Sequence, residues 1–376
     1  MAGSGVATRE PRARCGPPAR RVAAWLALAL VVVLAGCGRQ PRFVPPEADS
    51  TRAALADTLA EQVRVLRERW GAEGAGEEAA RLTAAVLLAD LRARYAAEPG
   101  FAWEDRARAL LDSLDVGAEL ASAPCVLVVN LFARADPTSG SWPWIFWRGE
   151  SAIQAQAVEG QGLALAAAAS RGLPCEGGVA TGPAGVAALF TRRGGGGQQP
   201  LLLTWRPAGS GLEVAQTLGS DSLGGVGSGV FEIPGGGGVA LTTRTWRTPP
   251  RFAECATCPH VVHLRRFAWG AAGFQRVADQ VVETPYVAFV ELIQALAAGD
   301  HDGALRRVTE PGVLEAAQNA GWASVRAPWR AAPGSEERRG ELVFYRGPSE
   351  AWRVRFERLG EAWRVASLEP TTRVIE

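Results

Sequence analysis

The stretch "ECATCPHVVH" (254–263) places Cys255 and Cys258 three positions apart and holds two of the chain's three histidines, His260 and His263. Four chemistries use such residues. Covalent haem attachment needs C-x-x-C-H, and Pro259 stands where the histidine is required. A zinc site would draw on both cysteines and both histidines. However, "HVVHL" reads as a strand, in which residues three apart face opposite sides. A redox couple gains from a helix N-terminus, whose dipole lowers the thiol pKa, and here a strand follows instead. The remaining reading is a disulfide that closes a tight turn.

Elsewhere the inventory excludes more than it offers. All forty basic residues are arginine, so there is no P-loop lysine, no Schiff-base lysine and no lysine general base. No serine sits in a G-x-S-x-G elbow. His301 lies between two acids in "GDHDG", residues that suit the caps of a polar helix–helix turn better than a metal or acid–base trio. The glycine-rich "RRGGGGQQP" and "PGGGG" match no phosphate-binding fingerprint and read as loop tips. A formal net charge of +1 gives no bulk field for nucleic acid. No catalytic residue, metal or cofactor is assigned, and nucleic acid is not an expected partner.

The fate of the cysteines depends on the compartment. Arg9, Arg12, Arg14, Arg20 and Arg21 precede the apolar run "VAAWLALALVVVLAG" (22–36). As a helix that run spans only about 22 Å, short of the ~30 Å hydrocarbon core. A basic start, a short apolar core and small residues at its end read as a secretory signal over 1–36. The closing "LAGC" (34–37) resembles the lipobox of bacterial lipoproteins. The resemblance implies that Cys37 is diacylated and becomes the N-terminus, and that Gly38, in place of Asp, directs the protein to the outer membrane in a two-membrane bacterium. Membrane attachment would then be through lipid alone, with the body facing an extracytoplasmic compartment. Cys125, Cys175, Cys255 and Cys258 remain, an even number for an oxidising compartment. Four cysteines allow three pairings; proximity favours Cys255 with Cys258, which leaves Cys125 with Cys175.

The elements that must carry these residues divide the chain further. A Pro-containing tether covers 37–48. A helical segment (49–120) follows: Leu55, Leu59, Val63, Leu66 and Trp70 form one apolar stripe, "GAEGAG" (71–76) breaks it, and helices are expected over 77–95 and 102–114. From 121 to 282 the text is β-rich, beginning with the continuous apolar "CVLVVNLFA". "WIFWRGESAIQAQAV", "LLLTWRPAGSGLEVAQTL" and "HLRRFAWGAAGFQRVAD" each read as a hairpin, giving a sandwich or a propeller-like sheet. In the last piece (283–376), Thr284 as N-cap, Pro285 at the first helical position and Gly299 at the αL position bound one helix. Two short helices and an alternating hairpin, "AWRVRFERLGEAWRVASLE", follow. This piece is expected to fold on its own.

Three helices, then a meander, with "ALAAGDHDGALRRV" in the first connection, resemble the NTF2-like superfamily of cone-shaped α+β domains. The resemblance implies an α+β C-terminal domain whose cone holds a small apolar ligand, with Trp322, Trp329, Tyr345, Trp352 and Trp363 along the wall. The plainer alternative is that these rings fill the core. The expected fold class is therefore α+β: a helical N-terminal segment, a β-rich middle and an NTF2-like C-terminal domain. The expected function is that of a membrane-anchored binding or scaffold lipoprotein, its partner an envelope protein or a small ligand. The alternatives are thiol–disulfide exchange at Cys255 and Cys258, and small-ligand binding in the C-terminal domain.

Overall fold

Apolar residues alternating with small or polar ones make strands the commonest structure among the described residues. The computed structural model describes residues 58, 61, 63–65 and 75–372, without 99, 136, 138–139, 150–151, 161, 174–183, 195–196, 234–237, 325, 333–339 and 348. The expected signal, Cys37, the tether, Cys175 and most of the first expected helix lie outside the described residues.

The strands form four antiparallel sheets, each a four-stranded meander in chain order. The first holds β1 (Gly117–Ala123), β2 (Val126–Phe132), β3 (Trp142–Arg148) and β4 (Ile153–Ala157). The second holds β5 (Ala164–Arg171), β6 (Gly185–Gly194), β7 (Gly197–Ala208) and β8 (Gly211–Leu218). The third holds β9 (Val226–Glu232), β10 (Ala240–Trp246), β11 (Val262–Gly270) and β12 (Gly273–Val281). The fourth holds β13 (Trp329–Ala331), β14 (Glu341–Arg346), β15 (Glu350–Leu359) and β16 (Ala362–Pro370).

This corrects the expected α+β class with its helical N-terminal segment and NTF2-like C-terminal domain. Strands make up 46% of the described residues against 27% for helices. Helical periodicity shows in a short window, but strand content depends on which segments find partners. "ALAAAASR" illustrates the difference: alanine is the best helix former, yet the segment is β5, paired along its length with β6. Tertiary pairing overrides a propensity worth tenths of a kcal/mol per residue.

The first three sheets stack face to face. β2 is buried on both faces, which explains its unbroken apolar run. Leu127, Val129 and Leu131 face α1 (Ala75–Ala97) and α2 (Trp103–Ser113), while Val126 and Val128 meet Val186, Ala188 and Phe190 of β6. The other side of β6, Ala187 and Leu189, meets Leu241, Phe267 and Phe274 of the third sheet. Gly76, read from the sequence as part of a break, lies inside α1. A Cβ there would come within 2.2 Å of the Trp142 ring, so only glycine allows this close approach. A short helix, α3 (Ser220–Leu223), joins β8 to β9.

Three helices pack on the fourth sheet: α4 (Pro285–Ala298), α5 (His301–Arg306) and α6 (Pro311–Asn319). The caps of α4 are those expected: the Thr284 side chain accepts from Val287 N–H at 3.2 Å, and Gly299 takes φ 71°. The core behind α4 is aromatic. Phe289 stacks on Phe344 at 3.6 Å and meets Trp322 and Trp329 edge-on. Arg346, 1% exposed, is bolted beneath it. Its guanidinium donates to Glu350 at 2.8 and 2.6 Å, to the carbonyls of Gly321 and Ala320, and lies 4.8 Å over the Trp329 ring.

The C-terminal piece does not close its own core. The connection between β10 and β11 crosses to it, sets Phe252 beside Trp329 in a parallel bridge, and buries that phenylalanine against Tyr286 and Phe289. Ala253 N–H and Trp329 N–H each find a carbonyl across the bridge at 2.8 Å. Burying one phenylalanine is worth roughly 1.5–3 kcal/mol. Phe252→Ala in the full-length protein should accordingly lower stability by about that amount in urea unfolding. Equal stabilities would mean that Phe252 adds nothing to the core.

Candidate functional site

The third sheet's central hairpin is interrupted: residues 247–261 leave it between β10 and β11. In the middle of this excursion Cys255 and Cys258 form a disulfide, with Cα atoms 5.1 Å apart. Cys258 N–H donates to the Cys255 carbonyl at 3.1 Å, so the backbone turn alone brings the sulfurs together and the bond locks it. Cys255 is exposed and Cys258 half-buried.

Glu254, one residue earlier, turns inward and is 2% exposed. Its Oε1 accepts from the Tyr286 hydroxyl at 2.6 Å, and its Oε2 lies 2.9 Å from His260 Nδ1. An ionised carboxylate only accepts, so Nδ1 carries the donated proton. The other nitrogen, Nε2, is shut from solvent and has no hydrogen-bond partner. The His260 ring lies flat on Trp246, with centroids 3.5 Å apart and planes 9° from parallel. A chain of contacts thus runs from Tyr286 on α4, through Glu254 and His260, to Trp246 at the end of β10.

Two recesses flank this chain. The larger, about 550 Å³, is walled by Trp246, Arg247, Asp221, Gln199, Glu254 and Cys255. Arg247 is held there by the Asp221 carboxylate at 3.0 Å. Gly225 also lines it, with φ 117°; a Cβ there would lie 2.0 Å from the Trp246 carbonyl, so a larger residue would push that wall away. The smaller, about 300 Å³, is lined by Glu254, Cys255, Cys258, Arg330 and Tyr345. Glu254 and Cys255 belong to both.

The two histidines of the opening stretch go separate ways. His260 precedes β11 and pairs with Glu254; His263 lies in β11, with Nδ1 2.8 Å from Asp279. Asp279 also accepts from Arg265 at 2.8 Å. Burial pushes its carboxyl up, but the hydrogen bonds from His263 and Arg265 outweigh this and hold it below its ordinary value. The four candidate zinc ligands are therefore not brought together. His301 is exposed at the start of α5, and the cap is Asp300, which accepts from Gly303 N–H at 2.8 Å.

Cys125 is disulfide-bonded; Cys175, its expected partner, lies outside the described residues, as does Cys37. The five aromatic residues split. Trp322 and Trp329 are fully buried, and Trp352 and Trp363 pack against the same cluster. Trp322 meets Trp329 and Trp352 edge-on at 5.3 and 5.4 Å, so the rings fill one another's space. Tyr345 sits in another cluster with Ala332 and Ala351, and lines the smaller recess beside the disulfide. Sequence reasoning missed Glu254, Tyr286, Trp246 and Arg330 as site residues. Only Glu254 carried a signal, as the acid next to the cysteine pair.

No protein-family model matches the chain, and no curated protein matches it.

Proposed function

We propose that this protein is a lipid-anchored, extracytoplasmic binding protein whose recognition site is the larger recess beside the Cys255–Cys258 loop. In this reading Cys37 carries the acyl chains, and two chains suffice for stable anchoring. The ligand is a small polar molecule or a surface loop of an envelope protein. The observation that carries the reading is the bracing of Trp246. Trp246 lines a recess of about 550 Å³, a small-ligand size, and its ring is stacked on His260, which Glu254 ties to Tyr286. A wall ordered in advance reduces the entropy lost on binding. The Cys255–Cys258 disulfide suits an oxidising compartment.

The test is photo-crosslinking in native membranes. A photoreactive residue at Ala256, on the rim of the recess, should give a discrete adduct, and the same residue at exposed Val277 should not. Cys37→Ala should abolish acyl-chain labelling and release the protein from the membrane fraction. Identical adducts from both positions would remove the recess reading, and unchanged membrane retention would remove the anchor.

One feature favours a second reading, thiol–disulfide exchange: both cysteines line the smaller recess, and Cys255 is exposed. A substrate dithiol would give two electrons and two protons to the bond, leaving two protein thiols and a substrate disulfide. Catalysed reduction of insulin by dithiothreitol, which reduces the Cys255–Cys258 bond before its thiols pass the two electrons and two protons to an insulin disulfide, should disappear in Cys255→Ser if this reading holds over binding.

A further inference from the structure

The 247–261 excursion is anchored at two places, on two different bodies. On one side, Phe252 is buried against Phe289, Ala253 N–H donates to the Trp329 carbonyl at 2.8 Å, and the Glu254 carboxylate accepts from Tyr286 at 2.6 Å. These contacts belong to the core behind α4. On the other side, His260 lies flat on Trp246 of the third sheet. Between the anchors, Cys255, Ala256 and Thr257 are exposed, so a thiolate in solution has access to the disulfide from the Cys255 side.

This bond does little for the fold as a whole. The freedom a disulfide removes from the unfolded chain grows with the loop it closes, and this one closes four residues. What it restrains is local. Glu254 directly precedes Cys255, and His260 follows Cys258 by two positions. The contact that joins the two anchors, Glu254 Oε2 to His260 Nδ1 at 2.9 Å, spans the same turn.

We infer that the Cys255–Cys258 bond is a redox switch for the larger recess. Closed, it presents Glu254 to His260 and so keeps the imidazole on Trp246. Opened by a dithiol, it frees the turn, and Glu254, Cys255 and Ala256, which line the recess beside Trp246, lose their fixed places. The dithiol gives two electrons and two protons; the S–S bond breaks, two protein thiols form, and the dithiol becomes a disulfide. The anchors at Phe252 and Ala253 do not involve the sulfurs, so opening loosens the turn without unfolding the protein. For a four-residue loop, the loop-closure relation corresponds to about twentyfold more frequent local opening. The consequence for recognition rests on the recess reading above. The switch itself is tested without a ligand, so either idea can fail while the other stands.

The experiment uses the histidines. The chain has three, so untagged full-length protein in detergent, carbon-13 labelled at histidine, gives three ring signals by NMR at a fixed pH. Stacking on the indole shields the His260 ring protons, and His260→Gln assigns that signal. His263 on β11 and His301 on α5 report on the third sheet and the C-terminal piece. Dithiothreitol should move the His260 signal downfield and leave the other two in place. Dithiothreitol also reaches the bond of Cys125, so Cys255→Ser/Cys258→Ser, which spares that bond, should give the same change. Amide exchange across 254–260 should rise about twentyfold in the variant. A His260 signal that stays at its wild-type position in the double variant would show that the stack does not depend on the bond. Movement of all three signals together would show that the bond supports the whole fold. Either result overturns the inference.

Discussion

Glu254→Ala is expected to cost about 3–5 kcal/mol of stability, the range for removing one partner of a buried, hydrogen-bonded pair. The carboxylate is 2% exposed and serves two partners on different elements, Tyr286 and His260. Removing it takes away the carboxylate that the Tyr286 hydroxyl and His260 Nδ1 share, and each buried hydrogen bond broken in this way costs about 1–3 kcal/mol. Glu254→Gln keeps an acceptor for Tyr286 and should recover about half the loss. Urea unfolding followed by circular dichroism measures the energies. A Glu254→Ala variant within 1 kcal/mol of wild type would show that the carboxylate is not buried as described.

Arg346→Ala should be of similar size, about 3–5 kcal/mol. The substitution strips Glu350 of its cation, removes donors from the Ala320 and Gly321 carbonyls after α6, and takes the guanidinium off the Trp329 face. It should also change the acid dependence of stability. Burial pushes the Glu350 carboxyl up, but hydrogen bonds from Arg346 and Trp352 outweigh this and hold it below the ordinary value of 4.5. A carboxyl lowered on folding adds stability that is fully present above its unfolded pKa and is lost as pH falls through the folded one. Wild-type stability should therefore decline in the window below pH 4.5, and Arg346→Ala should decline less steeply there. Parallel acid limbs for the two proteins would contradict the role given to this pair.

Where local chemistry decides a structure, the reading from sequence held. The N-cap at Thr284 and the C-cap at Gly299 each involve a few neighbouring residues, so the ends of α4 were visible. The β7–β8, β11–β12 and β15–β16 hairpins were visible for the same reason, since each turn joins strands that pair with each other. The Cys255–Cys258 bond spans three positions, and its turn brings the sulfurs together unaided. Periodicity alone misjudged Gly76, because the reason for glycine there is the ring of Trp142, 66 positions away in the chain.

The candidate sites were less legible, because their members meet only after folding. Nothing near Tyr286 in the chain marks the hydroxyl that reaches Glu254 across 32 positions. The aromatic residues read equally well as cavity wall or core filling; the choice rests on ring-to-ring geometry that spacing does not encode.

By itself, the sequence determined the composition-level exclusions, the caps, the hairpins and the short disulfide, since each depends on residue type or on interactions within about a dozen positions. Tertiary structure alone decided the mostly-β class, the stacking of three sheets, the loan of Phe252 to the C-terminal core, and the gathering of Glu254, His260 and Trp246 around one recess. These rest on pairing and burial between distant segments, where a contact's energy depends on what the rest of the chain brings to meet it.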